Sequence, residues 1–371
     1  MARDFRLGIV GAGGFGLFAL QHFTQVEGIK LVAMAGTHRE AAFAAAKRFG
    51  VPDIEDVDHL VARDDVDLIY IATPPFLHYS AAIKALANRK HVICEKPLAL
   101  TVPEGTELVK VASEQGLVMV ADLMQRYNPL YGQVDELIRS ELLGKVLHGY
   151  FENYASDEGL TPEHWFWDRS KSGGIFIEHG VHFFDMLDGW LGPGKVLSAQ
   201  RTLRPGTDLE EQVNCTVEYP QGALVNFYHS FTQPSRMDRQ ELRLVFELGD
   251  ITLTGWIPTK AHIRGLVDEG ATKALVELFS GARLDITETY LGPNRKIHYR
   301  HKSRDAFQRV DIRYGDEVEK LHRYGELLRS MMSDQLAWIR DPLWERRVTE
   351  KNGLDSLTTA VRASELASVI A

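Results

Sequence analysis

The feature that most constrains the fold is a series of short apolar runs that alternate with helical patterns through residues 6–121. The runs are rich in β-branched residues and apolar throughout, as in LGIV, VDLIYIAT, HVIC and LVMVADL. Strands of this kind, separated by helices, are typical of a parallel sheet that is covered on both faces. The first part of the chain is therefore predicted to be a doubly wound α/β domain.

The turn after the first predicted strand carries a glycine pattern. GAGGFG fits G-x-G-x-x-G, and it follows a strand and opens a helix, which is the context that this fingerprint requires. Gly11 allows the tight turn, Gly13 the close approach of a pyrophosphate, and Gly16 the packing of helix on strand. With Gly14 and Phe15 at the helix N-terminus, where free N–H groups attract phosphate, the turn predicts a dinucleotide-binding site. The alternative is a plain strand–helix turn that uses glycine for its backbone freedom.

The end of the second predicted strand bears on the choice of cofactor. An NAD site usually has an acidic residue about twenty positions further on, which binds the ribose 2′-hydroxyl. Here Gly36 stands at that place, followed by Thr37, His38 and Arg39. With no carboxylate to repel it, a 2′-phosphate can be held by the Thr37 hydroxyl and the Arg39 guanidinium, so NADP is expected in preference to NAD. Alternatively, Arg39 only begins a solvated helix.

The pattern changes in the second half of the chain. A helical stretch over 178–191 is followed by alternating segments such as KVLSAQRTL, EQVNCTVEYP, ALVNFYHSFTQ and ELRLVFELGD, separated by hairpin-like turns. These segments predict a large, mostly antiparallel sheet. Helices are predicted over 316–340 and 353–370, whereas residues 260–315 fit no single pattern.

Length and composition set broad limits. A chain of 371 residues exceeds one ordinary core, so a dinucleotide-binding domain is expected over 1–123 and an α+β domain over 124–371. The net charge of −9 argues against a nucleic-acid partner. No apolar run approaches the roughly 18 residues of a membrane span. Two distant cysteines, Cys94 and Cys215, favour a reducing compartment, so a soluble, cytoplasmic protein is expected.

HVICEKPLAL places a lysine after another buried strand. Glu95, Lys96 and Pro97 stand at the carboxyl end of this strand, where ligands collect in open α/β sheets. Lys96 is then either a surface charge or a cleft residue directed at substrate. A lysine partly desolvated beside a cofactor can exchange a proton with a substrate hydroxyl, and Pro97 predicts a rigid loop.

EHGVH brings two histidines and a carboxylate together. On a regular helix over 178–190, Glu178, His182 and Asp185 share one face. A zinc site needs at least three converging ligands, and no metal is expected. A solvated polar stripe is the favoured interpretation for His179 and Asp185. The third interpretation is a proton relay in which His182 is the acid/base and Glu178 orients it and raises its pKa.

Taken together, GIVGAGGFG, IATPPFLHYSAAIKALANRKHVICEKPLAL, QRYNP and SGGIFIEHGVHFFDMLDGWLG resemble the Gfo/Idh/MocA oxidoreductase family over residues 6–192. That family includes glucose–fructose oxidoreductase, inositol dehydrogenase and dihydrodiol dehydrogenase. The resemblance implies a Rossmann domain, then an α+β domain whose open sheet face builds homodimers or homotetramers. It also implies that Lys96 is the catalytic lysine and that His182 is the acid/base. Glu178 departs from the family, which usually has Asp there, so its carboxylate reaches a different point.

The resemblance and the neighbouring positions add candidate residues. Expected cofactor contacts beyond the glycine turn are Thr73, Pro74, His78, Glu95, Lys96 and Arg126. Expected substrate contacts are Lys96, Asn128, Trp165, Arg169, Glu178, His179 and His182. Plainer roles stay open for several of them: a helix surface for His78, a linker for Arg126 and Asn128, and a core position for the tryptophan.

The sequence therefore predicts an NAD(P)-dependent dehydrogenase or reductase that acts on CH–OH groups. Hydride would pass between a nicotinamide and a carbinol carbon of a sugar, polyol or cyclitol-like small molecule. In the oxidation direction His182 takes the hydroxyl proton and Lys96 stabilises the alkoxide. The alternatives are a non-carbohydrate substrate, such as a dihydrodiol or an imine, and a non-catalytic dinucleotide sensor. The presence of Lys96 and His182 speaks against the sensor.

Overall fold

The computed structural model describes four stretches of the chain, residues 4–36, 39–54, 56–315 and 318–370. The chain divides into two compact units, and neither of them is continuous in sequence. The first unit comprises Met1–Tyr127, Pro162–Asp185 and Tyr324–Glu365, and the second comprises Asn128–Thr161, Met186–Arg323 and Leu366–Ala371.

The first unit is built on a parallel sheet. Its strands are β1 (Phe5–Val10), β2 (Ile29–Ala35), β3 (Asp53–Ile54), β4 (Leu68–Ile71), β5 (His91–Cys94) and β6 (Met119–Ala121). They are arranged in the order β3-β2-β1-β4-β5-β6, and every neighbouring pair is parallel. The order reverses between β1 and β4, which is where doubly wound sheets bind their ligands. The predicted doubly wound domain is confirmed.

The connecting segments of this sheet are helical. They are α1 (Gly14–Phe23), α2 (Arg39–Phe49), α3 (Val57–Val61), α4 (His78–Ala87) and α5 (Val102–Gln115). The start of α5 shows why the chain turns helical there: the Thr101 hydroxyl accepts from the Glu104 N–H and the Glu104 carboxylate accepts from the Thr101 N–H. This capping box satisfies donors that the first turn leaves unpaired.

The later helices contribute to both units. They are α6 (Pro129–Arg139), α7 (Arg169–Ser172), α8 (Val181–Leu191), α9 (Glu269–Leu278), α10 (Lys320–Arg340) and α11 (Glu350–Leu366). Most of α10 and all of α11 except its last residue belong to the first unit. The division predicted from the sequence, with one boundary after residue 123, therefore differs from the compact units. Tertiary packing returns later helices to the first sheet, and local patterns carry no sign of this return.

The second unit contains a ten-stranded sheet. Its strands are β7 (Val146–Ser156), β8 (Lys195–Leu203), β9 (Glu210–Glu218), β10 (Leu224–Gln233), β11 (Arg239–Phe246), β12 (Gly249–Thr254), β13 (Lys260–Val267), β14 (Arg283–Thr289), β17 (Gln308–Gly315) and β18 (Ser368–Val369). A separate hairpin is formed by β15 (Lys296–Tyr299) and β16 (Lys302–Asp305). The strand order is β14-β17-β13-β12-β11-β7-β10-β9-β8-β18. Among the described strands of this sheet, only β7 with β10 and β8 with β18 pair in parallel, so the predicted large, mostly antiparallel sheet is confirmed.

Three parts of this sheet were not predicted: β7, the strands over 260–315, and β18, which falls in the helix predicted over 353–370 although α11 ends at Leu366. Strand β7 carries His148, Gly149, Glu152 and Asn153, which blur its apolar alternation, although Asn153 is fully buried. The region over 260–315 holds strands and a helix whose short, partly exposed segments lack a clear period. No helix in the described part of the chain is long and apolar enough to cross a membrane.

Candidate active site

The glycine turn after β1 has the geometry that its pattern predicts. Gly11 has φ +107°, and a Cβ there would lie 2.5 Å from the carbonyl oxygen of Ala72. A Cβ on Gly16 would lie 2.6 Å from the carbonyl oxygen of Gly11. By contrast, no atom lies within 4 Å of a Cβ built on Gly13 or Gly14. Two glycines are therefore required by the fold, and two leave open space beside the first turn of α1, where a pyrophosphate fits.

A cavity lies beside this turn in the first unit. Its volume is about 310 Å³, and its lining includes Val10, Gly36, Thr73, Ser80 and Lys84. The cavity extends from the end of β1 to α4, along the ends of β2 and β4. It therefore lies at the carboxyl end of the sheet, where the strand order reverses between β1 and β4. A pocket of this size in this place fits one half of a dinucleotide.

Gly36 is closely packed at the edge of this cavity. A Cβ there would lie 2.8 Å from the Cβ of Ala42 and 3.3 Å from that of Ala12. The backbone thus leaves little room for an acidic side chain at this position. Thr37 and His38 lie outside the described residues, as does the side chain of Arg39, so their part in binding a 2′-phosphate stays a prediction.

His78 joins two loops at the carboxyl end of the sheet. It is fully buried, with Nε2 2.8 Å from the Thr73 carbonyl oxygen and Nδ1 2.7 Å from that of Pro97. A neutral imidazole can donate only one of these bonds. The pKa of His78 lies below its ordinary value because burial lowers it by more than the two carbonyl groups raise it. The structure thus places His78 between the Thr73-Pro74 turn and the Lys96 loop, where it holds backbone rather than presenting its ring at a surface.

Lys96 is held by Glu178. The Lys96 Nζ donates to Glu178 Oε1 at 2.7 Å and to the Glu178 backbone oxygen, also at 2.7 Å. The two side chains are 15% and 13% exposed, so the pair is largely shielded yet still reached by solvent. Two of the three ammonium donors are engaged on one residue, which fixes the amine and leaves one N–H for a further acceptor.

The backbone around Glu178 is not a regular α-helix. Residues Phe176–Gly180 form a π-helical turn that leads directly into α8. The predicted face shared by Glu178, His182 and Asp185 assumed about 100° per residue throughout, and that assumption fails over the first turn. Such π-turns are frequent at functional sites, because they redirect one side chain relative to the helix that follows. Here the redirected carboxylate binds Lys96.

His182 is 3% exposed, at the start of α8. Burial, and then the positive charge of Lys96, lower the pKa of His182 well below its ordinary value. The expectation that Glu178 raises this pKa is therefore wrong, because the Glu178 carboxylate is bound by Lys96 and burial outweighs any raising effect. His182 is a neutral imidazole at neutral pH, which is the form that accepts a proton.

Asp185 is ion-paired, and the predicted solvated stripe is wrong for it. It is 2% exposed, and the Arg126 guanidinium makes contacts of 2.8 to 3.0 Å with both carboxylate oxygens and with the backbone oxygen. Arg126 itself is 14% exposed. Arg126, which the sequence predicts to contact the cofactor, thus binds and stabilises α8, the helix that carries His182.

The remaining predicted substrate residues are spread over several environments. Asn128 is 3% exposed, and its amide accepts from the Leu130 N–H and donates to the Pro258 carbonyl group, which makes it a buried helix N-cap. Arg169 is exposed and donates to the Ser364 hydroxyl. Both are therefore engaged in contacts within the protein.

The two aromatic candidates, Trp165 and His179, both belong to the first unit. Trp165 is partly exposed, with its ring 5.0 Å from that of His164. His179 is partly exposed as well, and its ring lies 6.1 Å from that of Phe183. Both retain some accessible surface, so a role in substrate binding stays a prediction for each.

Sequence reasoning named Glu95 but missed Tyr70 and Asp122, which form a polar cluster with it beside Lys96. The Tyr70 hydroxyl donates to Glu95 Oε1, and Asp122, which is 1% exposed, follows the strand adjacent to β5. A signal was present, since VMVAD ends an apolar strand with a carboxylate at the edge where ligands bind. Among the described residues, no group of three or more His, Cys, Asp or Glu side chains is arranged to hold a metal.

Several curated proteins are similar in sequence to part of this chain. Scyllo-inositol 2-dehydrogenase (NAD(+)) of Bacillus subtilis is 28% identical over 194 residues, which are 52% of this chain and 55% of that protein. Inositol 2-dehydrogenase of Rubrobacter xylanophilus is 33% identical over 162 residues, 42% of this chain and 46% of that protein. A 1,5-anhydro-D-fructose reductase of Ensifer adhaerens is 27% identical over 240 residues, 61% and 69% of the two chains. The chain spans about half the length of most of the curated relatives it matches.

Solved structures share the fold over nearly the whole chain. A 3-ketoreductase from Actinomadura kijaniata, in complex with NADP and TDP-benzene, superposes with a TM-score of 0.76 at 17% identity and 99% coverage of both chains. The biliverdin reductase of Synechocystis, in complex with biliverdin and NADP⁺, superposes with a TM-score of 0.71 at 17% identity and 98% coverage of both. At such identities the likeness concerns the fold alone.

Two models of one family match successive parts of the chain. Residues 5–122 match the model described as an oxidoreductase family with an NAD-binding Rossmann fold. Residues 131–252 match the model of the Gfo/Idh/MocA C-terminal domain. Together with the doubly wound sheet, the glycine turn and the lysine after β5, these matches show that the chain belongs to the Gfo/Idh/MocA oxidoreductase family.

Proposed function

We propose that this protein is an NAD(P)-dependent dehydrogenase or reductase that transfers hydride between a nicotinamide and a carbinol carbon of a sugar, polyol or cyclitol-like substrate. The observation that carries the proposal is the Lys96–Glu178 pair at the carboxyl end of β5, with the neutral, buried His182 in the same compact unit. The inositol dehydrogenases and the anhydrofructose reductase among its relatives support the substrate class.

The residues of the first unit fit a dinucleotide. Open space at Gly13 and Gly14 leaves the N–H groups at the start of α1 free to receive its pyrophosphate, and the cavity beside Gly36 suits its adenosine. When bound, the cofactor donates or accepts the hydride. NADP is the proposed cofactor, because the crowded Gly36 position has no carboxylate and is followed by Thr37 and Arg39.

The protein's own residues handle the proton. In the oxidation direction, the His182 imidazole accepts the proton of the substrate hydroxyl, for which its neutral form is suited. The Lys96 ammonium stabilises the developing negative charge on the substrate oxygen with the N–H that Glu178 leaves free. Glu178 holds that amine in place. Reduction runs through the same groups in reverse.

The test is turnover on a panel of polyols, cyclitols and aldoses with NADP⁺ and NAD⁺, followed by absorbance of the reduced cofactor. Lys96→Met and His182→Ala are each expected to lower kcat at least about 100-fold while NADPH still binds. Lys110→Met, which removes a 70% exposed lysine on α5, is the matched control and should leave turnover unchanged. Near-wild-type turnover in both active-site variants would refute the mechanism.

The same experiment addresses the alternatives. Turnover confined to dihydrodiols or imines would support a non-carbohydrate dehydrogenase. One solved structure with this fold, the biliverdin reductase of Synechocystis, contains biliverdin and NADP⁺. Fluorescence enhancement of NADPH without turnover of any substrate would favour a dinucleotide sensor.

Location and assembly complete the proposal. We propose a cytoplasmic protein that forms a homodimer or homotetramer through the large sheet of the second unit. Two buried cysteines without a disulfide, Cys94 and Cys215, support a reducing compartment. Light scattering of the purified protein tests the assembly, and a monomer at micromolar concentration would contradict it.

A further inference from the structure

Two carboxyl groups lie side by side at the carboxyl end of the first sheet. In the pairing of β5 with β6, Cys94 is opposite Ala121, so the next residues, Glu95 and Asp122, emerge next to each other on the same face. The negative charge of Glu95 acts directly on Asp122, which is 1% exposed. The neighbouring strand β4 contributes the Tyr70 hydroxyl, which donates to Glu95 Oε1.

Two carboxylates in such contact cannot both be charged. They can share a hydrogen bond only if one of them holds a proton. Glu95 accepts from Tyr70 and precedes the positively charged Lys96, and both of these favour its ionised form. In the described part of the chain, no N–H or O–H group makes a hydrogen bond of good geometry to either oxygen of Asp122. The Met124 N–H and the Tyr70 hydroxyl favour the ionised form of Asp122, but burial and the charge of Glu95 outweigh them. The contacts therefore put the negative charge on Glu95 and the proton on Asp122.

The electrostatic surroundings agree with this assignment. Burial, and then the charge of Glu95, raise the pKa of Asp122 well above its ordinary value. Burial also raises the pKa of Glu95, but the Tyr70 hydrogen bond and the Lys96 charge oppose that rise. The titratable groups that face the two carboxyls are Tyr70 from β4, Cys94 from β5, Lys96 from the following loop, Tyr127 and, from α10, Tyr324.

We propose that Asp122 is a positioning residue: as a neutral carboxylic acid it donates a hydrogen bond to Glu95 and, together with Tyr70, fixes the Glu95 carboxylate as an acceptor for a ribose hydroxyl of the bound dinucleotide. The inference rests on the proposed function, because it takes Glu95 to face the cofactor. The inference goes beyond the proposed function because it assigns a protonation state and a role to Asp122. The same hydrogen bonds hold the backbone at which the Lys96 loop begins.

Cofactor affinity tests the positioning role. Asp122→Ala removes the donor, and the dissociation constant for NADPH, measured by fluorescence, is expected to rise about tenfold or more. The KM for the cofactor should rise correspondingly, with kcat changed much less. Asp122→Asn replaces the acid by an amide that still donates, and it should recover most of the lost affinity. An affinity in Asp122→Ala equal to that of the wild type would overturn the positioning role.

The proton itself is tested without cofactor. The infrared difference spectrum of wild type minus Asp122→Asn is expected to show the C=O stretch of a protonated carboxylic acid, shifted in D₂O. The melting temperature gives a second readout, because native Asp122 keeps a proton that the unfolded chain loses near its ordinary pKa of 3.8. The free energy of unfolding of the wild type therefore decreases as pH rises. The melting temperature of Asp122→Asn relative to that of the wild type should increase between about pH 5 and pH 8.

Asp208→Asn, at an exposed aspartate, is the matched control, and its melting-temperature difference should stay constant over the same pH range. A constant difference for Asp122→Asn as well, or no carboxylic-acid band, would overturn the assignment of the proton. Failure of the proposed function looks different. In that case the wild type does not bind NADPH at all, while the infrared band and the pH-dependent melting difference are still observed.

Discussion

The Lys96 ammonium and the Glu178 carboxylate form an ion pair of 2.7 Å, and the same amine also binds the backbone oxygen of Glu178. The two residues are 82 positions apart, and the second lies in a π-helical turn. The pair holds the amine at the end of β5 without occupying all of its donors.

Removing the charge of Glu178 should impair the amine that it holds. We expect Glu178→Gln to lower kcat/KM about tenfold to a hundredfold, because the ammonium loses a charge-assisted hydrogen bond. Glu178→Asp keeps the charge and should retain more activity. Glu114→Gln, at a 63% exposed glutamate, is the control. Equal values of kcat/KM for Glu178→Gln and this control would rule out the role of Glu178.

The Arg126–Asp185 pair should act mainly on stability. Arg126→Met leaves a 2% exposed carboxylate without its partner, and we expect it to cost about 3–5 kcal/mol in urea denaturation. The double variant Arg126→Met/Asp185→Leu should recover part of this loss, because no unpaired charge remains. Arg139→Met, which breaks a surface pair on α6, should change stability little. A stable Arg126→Met variant with weakened NADPH binding would instead favour the cofactor contact predicted from the sequence.

The glycines of the first turn should separate into two classes. Gly13→Ala meets no atom within 4 Å, so we expect an unchanged melting temperature but NADPH binding weakened about tenfold, or ~1.4 kcal/mol. Gly11→Ala combines positive φ with a contact of 2.5 Å to the Ala72 carbonyl oxygen and should lose about 1–3 kcal/mol of stability. Gly281→Ala, which has positive φ but open space, measures the backbone cost alone. Unimpaired NADPH binding in Gly13→Ala would contradict a pyrophosphate site here.

His91 should make the fold sensitive to acid. Burial lowers its pKa to about 4, from 6.5 in the unfolded chain, and Nδ1 accepts from the Val118 N–H. Between these values the unfolded chain binds a proton that the native protein does not, so stability falls as pH falls, by roughly 3 kcal/mol near pH 4. His91→Gln keeps an acceptor and should lose less stability between pH 7 and 4.5 in urea denaturation. His298→Gln, at an exposed histidine, is the control; parallel losses in wild type and His91→Gln would disprove the linkage.

The preference for NADP should depend on Arg39. We expect Arg39→Ala to raise the dissociation constant of NADPH about tenfold to a hundredfold and to leave that of NADH unchanged, because only NADPH carries the 2′-phosphate. Lys47→Ala, in the last turn of the same helix, controls for the loss of one positive charge from α2. Equal weakening of both dinucleotides would argue against a phosphate contact.

Much of the first unit follows from the sequence alone. The buried strands, the helices between them and the glycine turn are local patterns, because a strand buried on both faces reads as a continuous apolar run and a helix needs a period of 3.6 residues. Lys96 could be placed at the carboxyl end of its strand for the same reason. Strand β7 could not be recognised, because its polar residues become favourable only between the strands that bury them.

The partners of the site residues were decided by the tertiary structure. Glu178 forms an ion pair with Lys96, although the sequence predicts that it orients His182. Arg126 forms an ion pair with Asp185, and Asp122 lies next to Glu95. Each pair joins segments far apart in the chain, and a regular helix projected from the sequence misses the π-helical turn that directs Glu178. Local periodicity determines which elements form, because it reflects short-range hydrogen bonds and one buried face. Electrostatic pairing depends on which side chains are brought together by packing and on how far they are removed from water. Residues that are neighbours in sequence determine neither of these.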